Sequence, residues 1–164
     1  MTQLEILQKK ILDINTLESL LALWHFQQKK IVFTNGCFDI LHRGHVEYLS
    51  KAADLGDVLI VGLNTDSSVS RIKGPKRPIV DEHSRALLLA ALHFTTAIIF
   101  FDEPTPYDLI KKVQPDILVK GKDYQAEDVV GYDIVMAKGG KVETIALVAG
   151  FSTTNLLNKI TNAS

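Results

Sequence analysis

A chain of 164 residues predicts one domain with at most a short appendage. Hydrophobic residues make up 46% and charged residues 23%, which excludes the low-apolar, high-charge composition of a disordered chain. Eighteen Lys and Arg against 19 Asp and Glu leave a net charge of −1, so no bulk charge draws the protein to nucleic acid or an anionic membrane, and any phosphate chemistry must be local.

One cysteine, Cys37, excludes an internal disulfide and a multi-cysteine zinc cage, and a reducing, cytoplasmic setting is the expectation. No apolar stretch of signal-peptide type precedes Lys9-Lys10. Apolar runs such as Ala86 to Leu92 fall far short of the ~20 residues that span a bilayer, so no membrane partner is expected.

Residues 3–28 space Leu4, Leu7, Ile11, Leu17, Leu21 and Trp24 as two short amphipathic helices, broken near Asp13-Ile14-Asn15. They are read as an N-terminal helical extension, 1–28, ahead of a catalytic domain, 29–164. Lys30 to Phe33 predicts a buried strand, Thr34-Asn35-Gly36 a turn, and His45 to Leu55 a helix. Asp57 to Leu63 is an apolar, β-branched run without alternation, the pattern of a parallel strand covered on both faces. Asn64 to Ser70 predicts a polar loop entering a short helix. Arg71 to Pro78, with Gly74, Pro75 and Pro78, is expected to be irregular and mobile.

A helix follows over Asp81 to His93, a strand over Ala97 to Phe101, a helix over Tyr107 to Val113 and a strand over Asp116 to Val119. Beyond a polar stretch come a helix near Tyr132 to Lys138, a strand at Lys141 to Leu147 and a last helix from Ser152. Such alternation predicts an α/β fold, a doubly wound parallel sheet whose ligands sit beyond the carboxyl ends of the strands.

The loops at those ends carry the chemistry. Neither G-x-G-x-x-G nor a P-loop is present, which removes most support for dinucleotide redox and Walker-type hydrolysis. Instead Asn35-Gly36-Cys37-Phe38-Asp39-Ile40-Leu41-His42-Arg43-Gly44-His45 follows the first domain strand. His42 and His45, three apart, fall on one face of a helix start, and Gly44 leaves room for a ligand near the backbone. Free N–H groups there attract an anion, and imidazoles can donate to phosphate oxygens during transfer. Two solvated histidines, or two metal ligands awaiting a third, are the plainer alternatives. Gly150-Phe151-Ser152-Thr153-Thr154 offers a second such terminus, with Ser152 as N-cap; simple capping is its alternative reading.

The run from Asn35 to Leu49, with its H-x-G-H, and the Ser-Thr-Thr element at Gly150 to Thr154 resemble the signatures of the nucleotidyltransferase superfamily. Arg71-Ile72-Lys73-Gly74, Arg77-Pro78, Pro104-Thr105-Pro106, Pro115 to Tyr124 and Gly139-Gly140 are most similar to its D-glycero-D-manno-heptose 1-phosphate adenylyltransferase branch. The resemblance implies a Rossmann-like sheet of the HUP type. It also implies direct attack of a sugar 1-phosphate on the α-phosphorus of ATP, with Mg²⁺ and no covalent intermediate. His42 and His45 would be catalytic. Thr34, Asn35, Gly36, Cys37, Phe38, Gly44, Lys120, Gly121, Gly150, Phe151, Ser152, Thr153 and Thr154 would bind nucleotide. Asp39, Asp66, Lys73, Arg85 and Asp123 would bind the sugar phosphate, with Asp39 ordering its loop or assisting Mg²⁺. No protein side chains are expected to form a metal site of their own.

Related cytidylyltransferases carry an arginine three residues before the glycine of the second element, where this chain has Leu147. That disfavours cytidylyl transfer. A cytidylyl- or guanylyltransferase, or a nucleotide-binding module without turnover, remains the alternative. A homodimer or higher homo-oligomer is the expected assembly, with the apolar N-terminal helices either covering the sheet or meeting a second subunit.

Overall fold

The computed structural model describes residues 1–163. In chain order the elements are α1 (Gln3–Gln8), β1 (Ile11–Leu12), α2 (Ile14–Phe26), β2 (Ile31–Gly36), α3 (Arg43–Ala53), β3 (Val58–Asn64), α4 (Asp66–Lys73) and α5 (Glu82–Ala91). They continue with β4 (Ala97–Phe101), α6 (Tyr107–Val113), β5 (Ile117–Gly121), a 3₁₀ turn (Ala126–Asp128), α7 (Tyr132–Ala137), β6 (Lys141–Ile145) and α8 (Thr153–Ala163).

The six strands form one sheet in the order β1-β4-β3-β2-β5-β6, and every pair is parallel. β3 is buried along its whole length, as its unbroken apolar run requires. One face of the sheet packs Ile31, Phe33 and Leu118 against Leu17, Trp24 and Ile110 of α2 and α6. The other packs Val32, Val61 and Val119 against Leu49 and Leu89 of α3 and α5. The result is a doubly wound, Rossmann-like parallel sheet with helices on both faces.

Three local features differ from the periodicity. Ile11–Leu12, expected at the end of the first helix, is a strand, pairing with Ile98 and Ile99 at the sheet edge. A two-residue strand carries too little alternation to register against the helical spacing around it. The first 28 residues are thereby stitched into the domain: Leu17, Leu21 and Trp24 are buried in its core, and Lys10 Nζ donates to the Ala90 carbonyl at 3.0 Å. Second, α4 runs into the basic segment as far as Lys73. The Thr65 side chain caps its start and Gly74, at φ +100°, ends it. Third, β2 extends through Thr34-Asn35-Gly36, the residues expected to turn. The remaining boundaries fall within a few residues of expectation, and β4 and α6 coincide with it.

Candidate active site

β2 lies between β3 and β5, so the strand order reverses there. Its pairing with β3 continues to Gly36↔Leu63, but its pairing with β5 stops at Phe33↔Leu118. Asn35-Gly36 and Lys120-Gly121, no longer paired with each other, open a crevice at the carboxyl edge, where ligands of open α/β sheets bind.

Two cavities of about 260 and 390 Å³ occupy it and share Asn35, Gly36, Cys37, Lys73, Lys120 and Tyr124. The smaller also touches Phe38, Asp39, His45, Gly121, Asp123 and Thr153. The larger reaches Asn64, Pro104 to Pro106 and the 3₁₀ turn. A roomier cavity of about 600 Å³ lies at the edge formed by β1, β4 and α6 and contains none of the predicted site residues.

α3 starts at the mouth of the smaller cavity. His42 is its N-cap, and its Nδ1 accepts from the Gly44 N–H at 3.1 Å, so the neutral ring carries its proton on Nε2. The rings of His42 and His45 stack with centroids 3.8 Å apart and planes 21° apart, while Phe38 meets His45 edge-on. Burial lowers the His42 pKa. Burial, then the neighbouring His42 and Lys73, push His45 down to about 4. Both imidazoles are neutral near pH 7 and can donate without the desolvation cost of two adjacent cations.

Gly44 differs from expectation in what it makes room for. A Cβ there would lie 3.0 Å from His42 Cε1 and 3.1 Å from Phe151 Cβ, so protein side chains occupy the space. Phe151 thus joins the second element to the first, with the Arg43 guanidinium over its ring at 5.4 Å. Ser152 accepts from the Asn155 N–H at 3.0 Å, as an N-cap does. Thr153 faces the crevice, whereas Gly150, Phe151, Ser152 and Thr154 stand outside its walls.

Several predicted ligands are consumed by the protein itself. The Thr34 hydroxyl is fully buried and shares a 2.8 Å hydrogen bond with Tyr48, whose own pKa burial pushes up to about 12. The Asp39 carboxylate accepts from Arg77 Nε and from the backbone N–H of Ile79 and Val80. Burial raises its pKa, but those hydrogen bonds and the arginine outweigh it and hold the carboxyl below its ordinary value. Both Asp39 oxygens are engaged within the protein, and these contacts order its loop.

Arg85 departs furthest from expectation. Its guanidinium is fully buried and donates to the carbonyls of Val80, Cys37 and Asn64 and to Asp66 Oδ1. Four of its five N–H groups are used, and neither Arg85 nor Asp66 lines the crevice. This pair fixes the ends of β2 and β3. Spacing alone could not show that its donors were taken.

Cys37 lines both cavities, 3.8 Å from Asn64 Oδ1, and burial pushes its thiol pKa up, the opposite of an activated nucleophile. Among the described residues no group of three or more His, Cys, Asp or Glu could hold a metal. Asn64 and Tyr124 fall in strand-end segments that the sequence marks as candidates without giving either a role, and Tyr48 was passed over. Asn64 closes β3, and that place at the end of a buried strand was its signal.

Residues 33–155 match the family model described as cytidylyltransferase-like. The chain belongs to that family. The bifunctional protein HldE of Citrifermentans bemidjiense is 54% identical over 151 residues, covering 92% of this chain and 31% of the relative. That of Syntrophotalea carbinolica is 57% identical over 132 residues, 80% of this chain and 27% of the relative. The chain thus spans about a third of the length of these curated relatives. Among solved structures, the lipopolysaccharide core biosynthesis protein of Thermoplasma volcanium is 32% identical with a TM-score of 0.58, over 73% of this chain and 97% of that one. Pantoate-beta-alanine ligase from Francisella tularensis shares the fold at 18% identity and a TM-score of 0.60, over 93% and 77% of the two chains.

Proposed function

We propose that this chain transfers AMP from ATP to D-glycero-D-manno-heptose 1-phosphate, giving ADP-heptose and pyrophosphate for lipopolysaccharide or a related glycan. The stacked His42/His45 pair at the start of α3, with His45 on the wall of a crevice beside Lys73 and Lys120 and His42 behind it, carries the reading. The high identity to HldE proteins and the likeness to a lipopolysaccharide core biosynthesis protein support the sugar branch. Leu147, an apolar wall where cytidylyl relatives are expected to place an arginine, supports ATP over CTP.

An anionic oxygen of the sugar phosphate attacks the α-phosphorus. The new P–O bond forms as the bond to the β-phosphate oxygen breaks, and pyrophosphate leaves with the electron pair. The nucleophile is already charged, so no base and no covalent intermediate are required. His42, through Nε2–H, and His45 donate to phosphate oxygens as charge shifts toward the leaving group; one such donor is worth about 10²–10³ in rate. Asn35 to Phe38, Gly121 and Thr153 line the nucleotide's place. Asp39 and Arg85 position it by holding the loops rather than by touching ligand.

Mg²⁺ fits this donor set as an ion carried mainly by phosphate oxygens and water, with Asp123 a carboxylate on the smaller cavity's wall that has no hydrogen-bond or ion-pair partner among the described residues. Bound, it would neutralise triphosphate charge. The proposed setting is the cytoplasm, with self-association as a homodimer or higher homo-oligomer. The catalytic machinery falls in 29–164. α2 of the N-terminal segment exposes Leu23 and Phe26, 46% and 86% accessible, as the candidate subunit contact.

The test is pyrophosphate release with Mg²⁺, crossing ATP, CTP and GTP against both anomers of the heptose 1-phosphate, glycerol 3-phosphate and phosphoethanolamine. Turnover confined to ATP with a heptose 1-phosphate is expected. Preference for CTP with an alcohol phosphate would overturn the substrate assignment, and tight nucleotide binding without turnover in any pair would overturn the enzyme.

A further inference from the structure

Lys120 stands on β5 beyond the last residue paired with β2, on the wall common to both cavities. Its side chain is only partly exposed, yet no carboxylate answers it among the described residues. Its Nζ has a long 3.5 Å contact to Asn35 Oδ1 and lies 5.4 Å from the centre of the Tyr124 ring. A cation drawn out of water without a counterion is costly, and a bound anion removes the cost. Lys73, the other lysine common to the two cavities, sits at the exposed end of α4. Lys120 is instead fixed by a strand paired on its far side with Thr144.

We infer that Lys120 is the cation shared by the two reacting phosphates, contacting the acceptor phosphate from the larger cavity and the α-phosphate from the smaller one. The inference rests on the function proposed above and adds a role to it. Two anions must approach within bonding distance, and a fixed ammonium between them offsets their repulsion without moving. Burial lowers the pKa of this lysine, with the nearby Cys37 thiol opposing the shift, and a phosphate beside it would favour the charged form that burial disfavours. The smaller cavity already has His45 and Thr153 as donors. The larger one, walled by Ile72, Pro104, Pro106 and Val130, has few cations besides Lys73 and Lys120 for a sugar phosphate to meet.

Two measurements test this. In isotope-labelled protein, the Lys120 ammonium resonance, assigned by its loss in Lys120→Met, should move with inorganic phosphate or glucose 1-phosphate alone and with ATP alone. A response to ATP only, or to neither, would overturn the shared role. Kinetically, Lys120→Met should lose on the order of 10²-fold in kcat at saturating substrates and bind both ATP and the sugar phosphate more weakly, with the thermal midpoint nearly unchanged and partial rescue by Lys120→Arg. A loss confined to ATP affinity, or a kcat within about threefold of wild type, would refute it. If wild-type protein turns over no substrate pair while the resonance responds to both probes, the proposed function fails and the shared cation stands.

Discussion

Asp39 and Arg77 form an ion pair whose side chains are 1% and 15% accessible, across 38 positions of sequence. The same carboxylate holds the Ile79 and Val80 N–H groups, so one side chain pins the segment between α4 and α5 beside the crevice. Replacing Asp39 by Asn keeps the shape but leaves Arg77 poorly compensated, and breaking a buried pair costs about 3–5 kcal/mol. Urea unfolding should show a loss of that order. In the same variant, KM should rise more than kcat falls, because the loosened segment carries Arg77 on the cavity wall.

Arg85 should behave as a strut. Arg85→Ala strands the carbonyls of Val80, Cys37 and Asn64, and Arg85→Lys cannot span them with one ammonium. Both variants should lose about 3 kcal/mol or more in denaturant titrations without any ligand present. A direct phosphate ligand would instead leave ligand-free stability intact.

His45 couples the site to pH. Its folded pKa, about 4, lies below the 6.5 of the unfolded chain, so between those values the unfolded state binds more protons. Stability is therefore full above pH 6.5 and falls as pH drops toward 4, by up to about 3 kcal/mol before solvent screening. Asp39 contributes only lower, because its depressed carboxyl loses its advantage below 3.8. Thermal midpoints between pH 7 and 4 should fall less steeply in His45→Gln than in wild type.

Gly44→Ala tests the contact between the two signature elements. The added methyl meets His42 Cε1 at 3.0 Å and Phe151 Cβ at 3.1 Å, so the imidazole must shift by a few tenths of an ångström. Such misplacement should lower kcat tenfold or more while leaving the melting temperature within a few degrees.

Cys37→Ser should retain activity within about threefold in the pyrophosphate assay, because the thiol is only partly exposed, its pKa is raised and the proposed transfer needs no nucleophile from the protein. Loss of all turnover in that variant would return Cys37 to the chemistry.

Long apolar or sharply punctuated segments were legible in the sequence. Ala97–Phe101 and Tyr107–Val113 match to the residue because a dense apolar run and two prolines bracket them. β1 was not legible, since two residues cannot declare a period and its partner lies 87 positions away, Ile11 against Ile98. At the site, residue types and strand ends brought Asn35 to Asp39, His45, Lys120 and Asp123 to one crevice. What spacing could not show was which donors and acceptors other residues would take: Tyr48 takes the Thr34 hydroxyl, Arg77 the Asp39 carboxylate, and distant carbonyls the Arg85 guanidinium.

The strand order also dictates a timetable. Residues 1–101 contain β1, β4, β3 and β2, four neighbouring strands that can assemble while the rest of the chain is still inside the ribosome. β5, β6 and α8, which supply Lys120, Asp123 and Thr153, emerge afterwards and dock on the far side of β2. A nascent chain therefore places β2 and α3, with the histidines, before the residues that complete the crevice have arrived.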